Sequence, residues 1–201
     1  MATNKTTRLE AINTMLSVIG EPPLNTLEGA NRADALIAQA VLDEVSRDIQ
    51  TEGWHFNSMS RVPYVADAEG KIVVPQNVVR LDLTEERYGY DVIVLDGYVY
   101  NKVSQSNVWT SGSTIYCSVV YLYEFDNLPQ AARHYITIRA ARIFGNRMVG
   151  DERQHSFTAI DEMKALATLK EYEGETGDHT IFDHYSIGGI VDRSSIAPRV
   201  Y

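Results

Sequence analysis

The sequence predicts an α+β protein: a four-helix, bundle-like domain, an inserted antiparallel β domain and an extended C-terminal arm. Three observations carry this expectation. Apolar residues recur at helical spacing before Gly53 and again after Asp126. Between these points the period shortens to simple alternation in runs rich in Val, Ile and Tyr, and beyond Gly174 neither period is sustained. The expected division is residues 1–53 with 126–174 for the discontinuous helical domain, 54–125 for the β insertion and 175–201 for the arm or tail.

Thr7-Arg8-Leu9-Glu10 has the form of a capping box, in which the Thr hydroxyl and the Glu carboxylate each satisfy a backbone N–H left over at a helix start. Leu9, Ile12, Leu16 and Ile19 then share a face, and Gly20 supplies the left-handed residue that closes a helix. A longer helix is expected from about Asn31 to Gly53, with Ala33, Leu36, Ile37, Ala40, Val41, Val45 and Ile49 as its apolar series. Between the two lies GEPPLNTLEG, where Pro22 and Pro23 remove backbone donors and bar a helix, so the stretch reads as a corner.

The runs KIVVP, VVRLDLT, YDVIVL, YVYNKV and TIYCSVVYLYEF predict strands between about Trp54 and Phe125. Asp96-Gly97 between two of them is a hairpin signal, because a type I′ turn needs positive φ at both central positions. Asp126 is the expected cap of a third helix, with Pro129 in its first turn and Ala132, Tyr135, Ile136, Ala140, Ile143 and Phe144 along its apolar face. A fourth helix is expected from about Asp151 to Gly174, carrying Phe157, Ile160, Met163, Ala167 and Leu169.

A chain of 201 residues with 44% hydrophobic and 22% charged residues has the material for a packed core. Its formal net charge of −9 argues against a partner gripped by its phosphates, which requires a surplus of Lys and Arg. The single Cys, Cys117, excludes an intramolecular disulfide and suits a reducing compartment. The polar start MATNKTTRLE does not read as an export signal, and no apolar run reaches the ~20 residues of a membrane span, so a soluble protein without membrane contact is expected.

Candidate chemistry is sparse. Glu21 and Glu28 of the corner could form an acid–base pair only with a neighbour that splits their pKa values, and the corner itself contains no His or Arg. Asp178-His179 and Asp183-His184 form a DHxxxDH pattern, but a separation of five positions does not put the two His on one helical face, and a polar loop is expected there instead of a metal site. Cys117 lies in a strand-like run with no basic neighbour to stabilise a thiolate and reads as a small core residue. SQSNVWTSGS has the glycines of neither a phosphate loop nor a nucleophile elbow and reads as a strand connection. Arg133, Arg139, Arg142 and Arg147 are scattered around the third helix, which favours a solvated or subunit-facing role over nucleic-acid binding. No catalytic, metal-binding or cofactor-binding residue is expected, and no cofactor. Tyr185, Ile187, Ile190 and Val191, isolated apolar residues in a polar tail, are the expected partner contacts of the arm.

Two blocks, residues 11–57 and 96–150, together about half of the chain, resemble the tail tubular protein A, or head-to-tail adaptor, family of short-tailed bacteriophages. The resemblance is carried by the IGEPP corner, the TLEG after it and the GWxFN that follows the second helix, in combination. It implies a structural virion protein of the tail, assembled in the host cytoplasm as a homo-oligomeric ring of twelve copies. The ring would lie beneath the portal protein, hold the tubular nozzle protein below it and surround the channel through which genomic DNA leaves. Twelve copies at −9 each would carry a formal −108, a wall along which DNA slides without phosphate contacts that arrest it. The alternative is a tail-associated glycan or peptidoglycan hydrolase, which needs two carboxylates facing each other across a groove at ~5–10 Å. A DNA-binding module is a third reading, and the acidic balance disfavours it.

Overall fold

The computed structural model describes residues 5–28, 32–84, 89–149 and 159–176. Within them the protein is α+β, with helices α1 (Arg8–Val18), α2 (Ala33–Thr51), α3 (Gln130–Val149) and α4 (Ala159–Thr176). The strands are β1 (Ser58–Val65), β2 (Val78–Leu83), β3 (Val92–Leu95), β4 (Tyr98–Asn101) and β5 (Thr114–Tyr121). The expected arm lies outside the described residues except for Glu175 and Thr176, which extend α4 past Gly174.

The capping box forms as predicted: Glu10 N–H donates to Thr7 Oγ1 at 3.2 Å and Thr7 N–H donates to Glu10 Oε2 at 2.7 Å. The buried face of α1 is Ala11, Ile12, Met15 and Leu16, while Leu9 and Ile19 are only half-buried. This rotation follows from α1 packing on both α2 and α3, which widens the covered face beyond one stripe. α3 touches all three other helices and buries Ala132, Tyr135, Ile136, Ala140 and Phe144.

Two apolar series meet the sequence-based expectation only in part: Val41, Val45 and Ile49 of α2 and Leu169 of α4 are buried as expected, and the rest of each series is not. On α2 the core side is Ala35, Ala38, Val41, Leu42, Val45 and Ile49, whereas Ala33, Leu36, Ile37 and Ala40 face outward. On α4 only Ala165 and Leu169 are buried, and Ile160, Met163 and Ala167 are exposed. The first turns of α2 bury the small Ala35 and Ala38 and leave the bulkier Leu36 and Ile37 on the outside. The expected beginning of the fourth helix, including Phe157, falls outside the described residues.

β5 is the centre of a three-stranded antiparallel sheet in the order β1-β5-β2. Ile115, Cys117 and Val119 of β5 face a second apolar cluster with Tyr64, Leu81, Ile72, Val92 and Val99, separate from the helical one. β3 and β4 form a hairpin with Val94 opposite Val99 and Leu95 opposite Tyr98. Its turn is Asp96-Gly97 at φ +51° and +78°, the paired positive values predicted for this dipeptide. Two expectations about the strands need correction. KIVVP is not a regular strand: Pro75 ends it, and it joins the hairpin through the bridge Val73 to Tyr98 and the bond from Val99 N–H to the Ile72 carbonyl at 2.9 Å. SMSRVPYV, absent from the expected strands, is β1, an edge strand whose bulge at Arg61 (φ +58°) and whose Pro63 mark an edge protected against foreign pairing.

The chain passes from helices to strands after α2 and returns after β5, and one buried polar node holds both crossings. Gln50, 1% exposed, accepts from Tyr123 N–H on Oε1 at 2.8 Å and donates from Nε2 to the Tyr123 carbonyl at 3.0 Å. Asn57, fully buried, donates to the carbonyls of Gln50 and Tyr121, both at 2.8 Å, and accepts from Trp54 N–H. Trp54 Nε1 donates back to the Ile49 carbonyl at 2.8 Å. The GWxFN sequence is therefore the joint between α2 and the sheet.

Replacing Gln50 by Leu keeps the volume and strands the Tyr123 N–H and C=O, at roughly 1–3 kcal/mol per buried group. Urea denaturation of Gln50→Leu is expected to show a loss of about 2–5 kcal/mol, against less than about 0.5 kcal/mol for Arg47→Ala on the exposed side of the same helix. Equal stability of the two variants would remove the node from its structural role.

Candidate assembly surfaces

The GEPPLNTLEG corner is a built turn. Asn13 on α1 reaches across to it, accepting from Leu24 N–H at 2.7 Å and donating to the Leu24 carbonyl at 3.0 Å. Arg32, just beyond the corner, pairs with Glu21 and donates to the Pro22 carbonyl at 3.1 Å. Glu21 is thus committed to an intramolecular ion pair, and the corner serves to clamp α1 to the start of α2.

Arg133 of α3 corrects the expectation of a solvated or subunit-facing role, while Arg139, Arg142 and Arg147 keep part of their surface in solvent and are engaged within the chain. Arg133, 5% exposed, donates to the carbonyls of Leu128, Thr6 and Asp126, tying the chain ahead of α1 to the entry of α3. Asp126 does not cap α3: its carboxylate accepts from Arg8 N–H at 2.9 Å, within a 3-10 turn at Phe125–Asn127. Arg139 and Arg142 both pair with Glu162, bracing α3 against α4. Arg147 holds Glu44 of α2 through two bonds of 2.7 and 2.8 Å. That hydrogen bond, first among several causes, holds the Glu44 carboxyl below its ordinary pKa and raises the Arg147 guanidinium. Scatter around the helix, read from spacing alone as exposure, instead lets one helix brace three neighbours.

Cys117 is fully buried, and burial, with the charge of Asp82 as a smaller cause, pushes its thiol up to about 11. The sequence-based reading of an inert core cysteine stands. Where the two clusters meet, a groove of about 560 Å³ runs beside the polar node, bordered by Arg8, Asp43, Arg47, Gln76, Asn77 and Glu124. Arg8 grips Asp43 through bonds of 2.5 and 2.8 Å, and its guanidinium is raised above the ordinary value first by that hydrogen bond and further by the charges of Asp43 and Glu124. Both carboxylates of the groove therefore lie in the field of one cation.

Among the described residues, three groups of apolar side chains are exposed together. On α2, Leu36 is 53% and Ile37 40% exposed; on α4, Ile160 is 63% and Met163 69% exposed. The third is a sheet face. The pairings Ile93 with Tyr100, Leu95 with Tyr98 and Tyr98 with Val73 put five side chains on the side of the hairpin opposite the buried Val92 and Val99. Val73, Ile93 and Leu95 are exposed, Tyr98 and Tyr100 are half-buried, and the Lys71 ammonium lies 5.9 Å from the Tyr98 ring centre. Sequence periodicity found these side chains but assigned the helical ones to the core.

Tyr185, Ile187, Ile190 and Val191 lie outside the described residues, as do Asp178, His179, Asp183 and His184. Among the described residues no group of three or more His, Cys, Asp or Glu is arranged to hold a metal ion, and no helix is long and apolar enough to cross a membrane.

Charges braced inside the fold beside apolar groups left outside are the features of a protein that works by contact with other proteins. A family model of tail tubular proteins matches residues 9–179. The chain belongs to the tail tubular protein family, and it is a structural component of a bacteriophage tail. No curated protein matches it.

The burial of Cys117 predicts that at about pH 8 a disulfide-exchange thiol reagent leaves the native protein unmodified and titrates one thiol after unfolding in urea. Reaction of the native protein at the unfolded rate would contradict the placement of this side chain.

Proposed function

We propose that this tail tubular protein is the head-to-tail adaptor of a short-tailed phage, a ring of twelve copies that joins the portal protein to the tubular nozzle and surrounds the channel for DNA ejection. The observation that carries the reading is the family match over residues 9–179 on a chain whose described residues expose three groups of apolar side chains. A member of a closed ring needs two different faces for its two neighbours, and an adaptor needs more for the proteins above and below it. The corner and the GWxFN joint, the motifs that carry the resemblance to adaptors, are the two structural clamps of the fold.

The same reading treats residues 54–125 as an inserted domain, residues 1–53 with 126–174 as the ring-forming part, and 175–201 as an arm whose Tyr185, Ile187, Ile190 and Val191 contact neighbouring subunits. On this reading the ring assembles in the host cytoplasm and the protein is not an enzyme. A hydrolase needs one carboxyl kept protonated, whereas Asp43 and Glu124, the carboxylates bordering the groove, face Arg8. Genomic DNA would pass without specific binding: the arginines of α3 are engaged within the chain, and the net charge is −9.

Native mass measurement and electron microscopy of the protein mixed with purified portal rings are expected to show rings of twelve copies seated on one end of the portal. Truncation after residue 174 is expected to weaken this binding while leaving the thermal midpoint unchanged. A chain that stays monomeric beside the portal would overturn the reading.

A further inference from the structure

We propose that the uncovered stripe of α2 in one copy packs on the uncovered stripe of α4 in the next, forming one head-to-tail interface. The inference rests on the ring reading above and names the surfaces that close the ring.

α2 exposes Ala33, Leu36, Ile37 and Ala40, the i, i+3, i+4, i+7 pattern of a helix face made for apolar packing. α4 exposes Ile160, Met163 and Ala167, at i, i+3 and i+7. Both helices pack on α3 with their other sides, so these stripes point away from the shared core. Each stripe sets bulky side chains beside alanines, which gives ridges and grooves of matching size on two helices.

Charge selects the pairing. Asp34 and Asp48 flank the α2 stripe, and Lys164 and Lys170 flank that of α4; none of the four has an ion-pair partner among the described residues. Arg47 on α2 and Glu171 on α4 add a further couple of opposite sign. Pairing α2 with α2 would bring Asp34 and Asp48 together across a symmetric contact, and pairing α4 with α4 would do so for the lysines; α2 against α4 matches opposite charges. Two different faces meeting in this way generate a heterologous contact, the kind that closes into a ring.

The test uses the full chain carrying either Ile37→Cys or Met163→Cys, the native Cys117 being buried and out of reach. After assembly and oxidation, an equimolar mixture of the two variants is expected to give a disulfide-linked dimer that neither variant gives alone. A dimer from one variant alone would mean that a stripe meets its own copy, and would overturn the proposal. Rings of normal mass without a cross-link in the mixture would overturn the interface and leave the adaptor reading standing, whereas absence of rings from the unsubstituted chain on the portal would overturn both. As a second measurement, Leu36→Glu combined with Ile37→Glu is expected to abolish rings without moving the thermal midpoint, because both side chains are exposed in the single copy. Rings surviving this change would also overturn the proposal.

Discussion

The fold depends on a small buried polar node where the chain crosses twice between its helices and its strands. The Gln50 side chain bonds to both backbone groups of Tyr123, and the Asn57 side chain to the carbonyls of Gln50 and of Tyr121 in β5, so both crossings are fixed to the end of α2. Buried amides of this kind are favourable only when every polar atom has a partner, and a satisfied network specifies one arrangement sharply. At this junction the node is joined by the packing of Trp54, Phe56 and Tyr123 on the helical cluster and by the contact of α2 with β5. Together they make one body of the helical cluster and the strand cluster, and the apolar faces on α2, α4 and the hairpin stand in fixed relation to one another.

The electrostatics follow the same economy. In a chain of net charge −9, arginine is used for internal bracing: Arg133 at the entry of α3, Arg139 and Arg142 against Glu162, Arg147 against Glu44 and Arg8 against Asp43. The partly exposed pairs contribute little each, and their value lies in fixing helix positions. Arg133 differs, because it is itself buried and donates to three backbone carbonyls, that of the buried Leu128 among them. Braced helices that present apolar side chains outward suit a structural component of a tail.

Much of this was legible in the sequence, and the rest was not for definable reasons. The capping box, the Asp96-Gly97 turn and the proline corner are local, set by a few adjacent residues, and each formed as expected. The later part of the α2 series, Val41, Val45 and Ile49, and Leu169 of α4 are buried as expected, while Ala33, Leu36, Ile37, Ala40, Ile160, Met163 and Ala167 face outward, because periodicity reports that a helix has apolar faces without saying which of them meets its own chain. β1 went unread because an edge strand containing Ser, Arg and Pro lacks the alternation of a half-buried one. Asn13, Gln50, Asn57 and the true partners of the α3 arginines depend on residues up to 127 positions away, a separation no local pattern encodes.

The rigidity conferred by the node is the central claim, and a distance measurement tests it most directly. Spin labels at two exposed positions, Lys164 on α4 and Val94 on β3, would report the separation of the helices from the hairpin by pulsed electron resonance, with the buried Cys117 unlabelled. A single narrow distance distribution in the unsubstituted background, broadened by Gln50→Leu, is the predicted result. A broad distribution before any change at Gln50 or Asn57 would contradict the account.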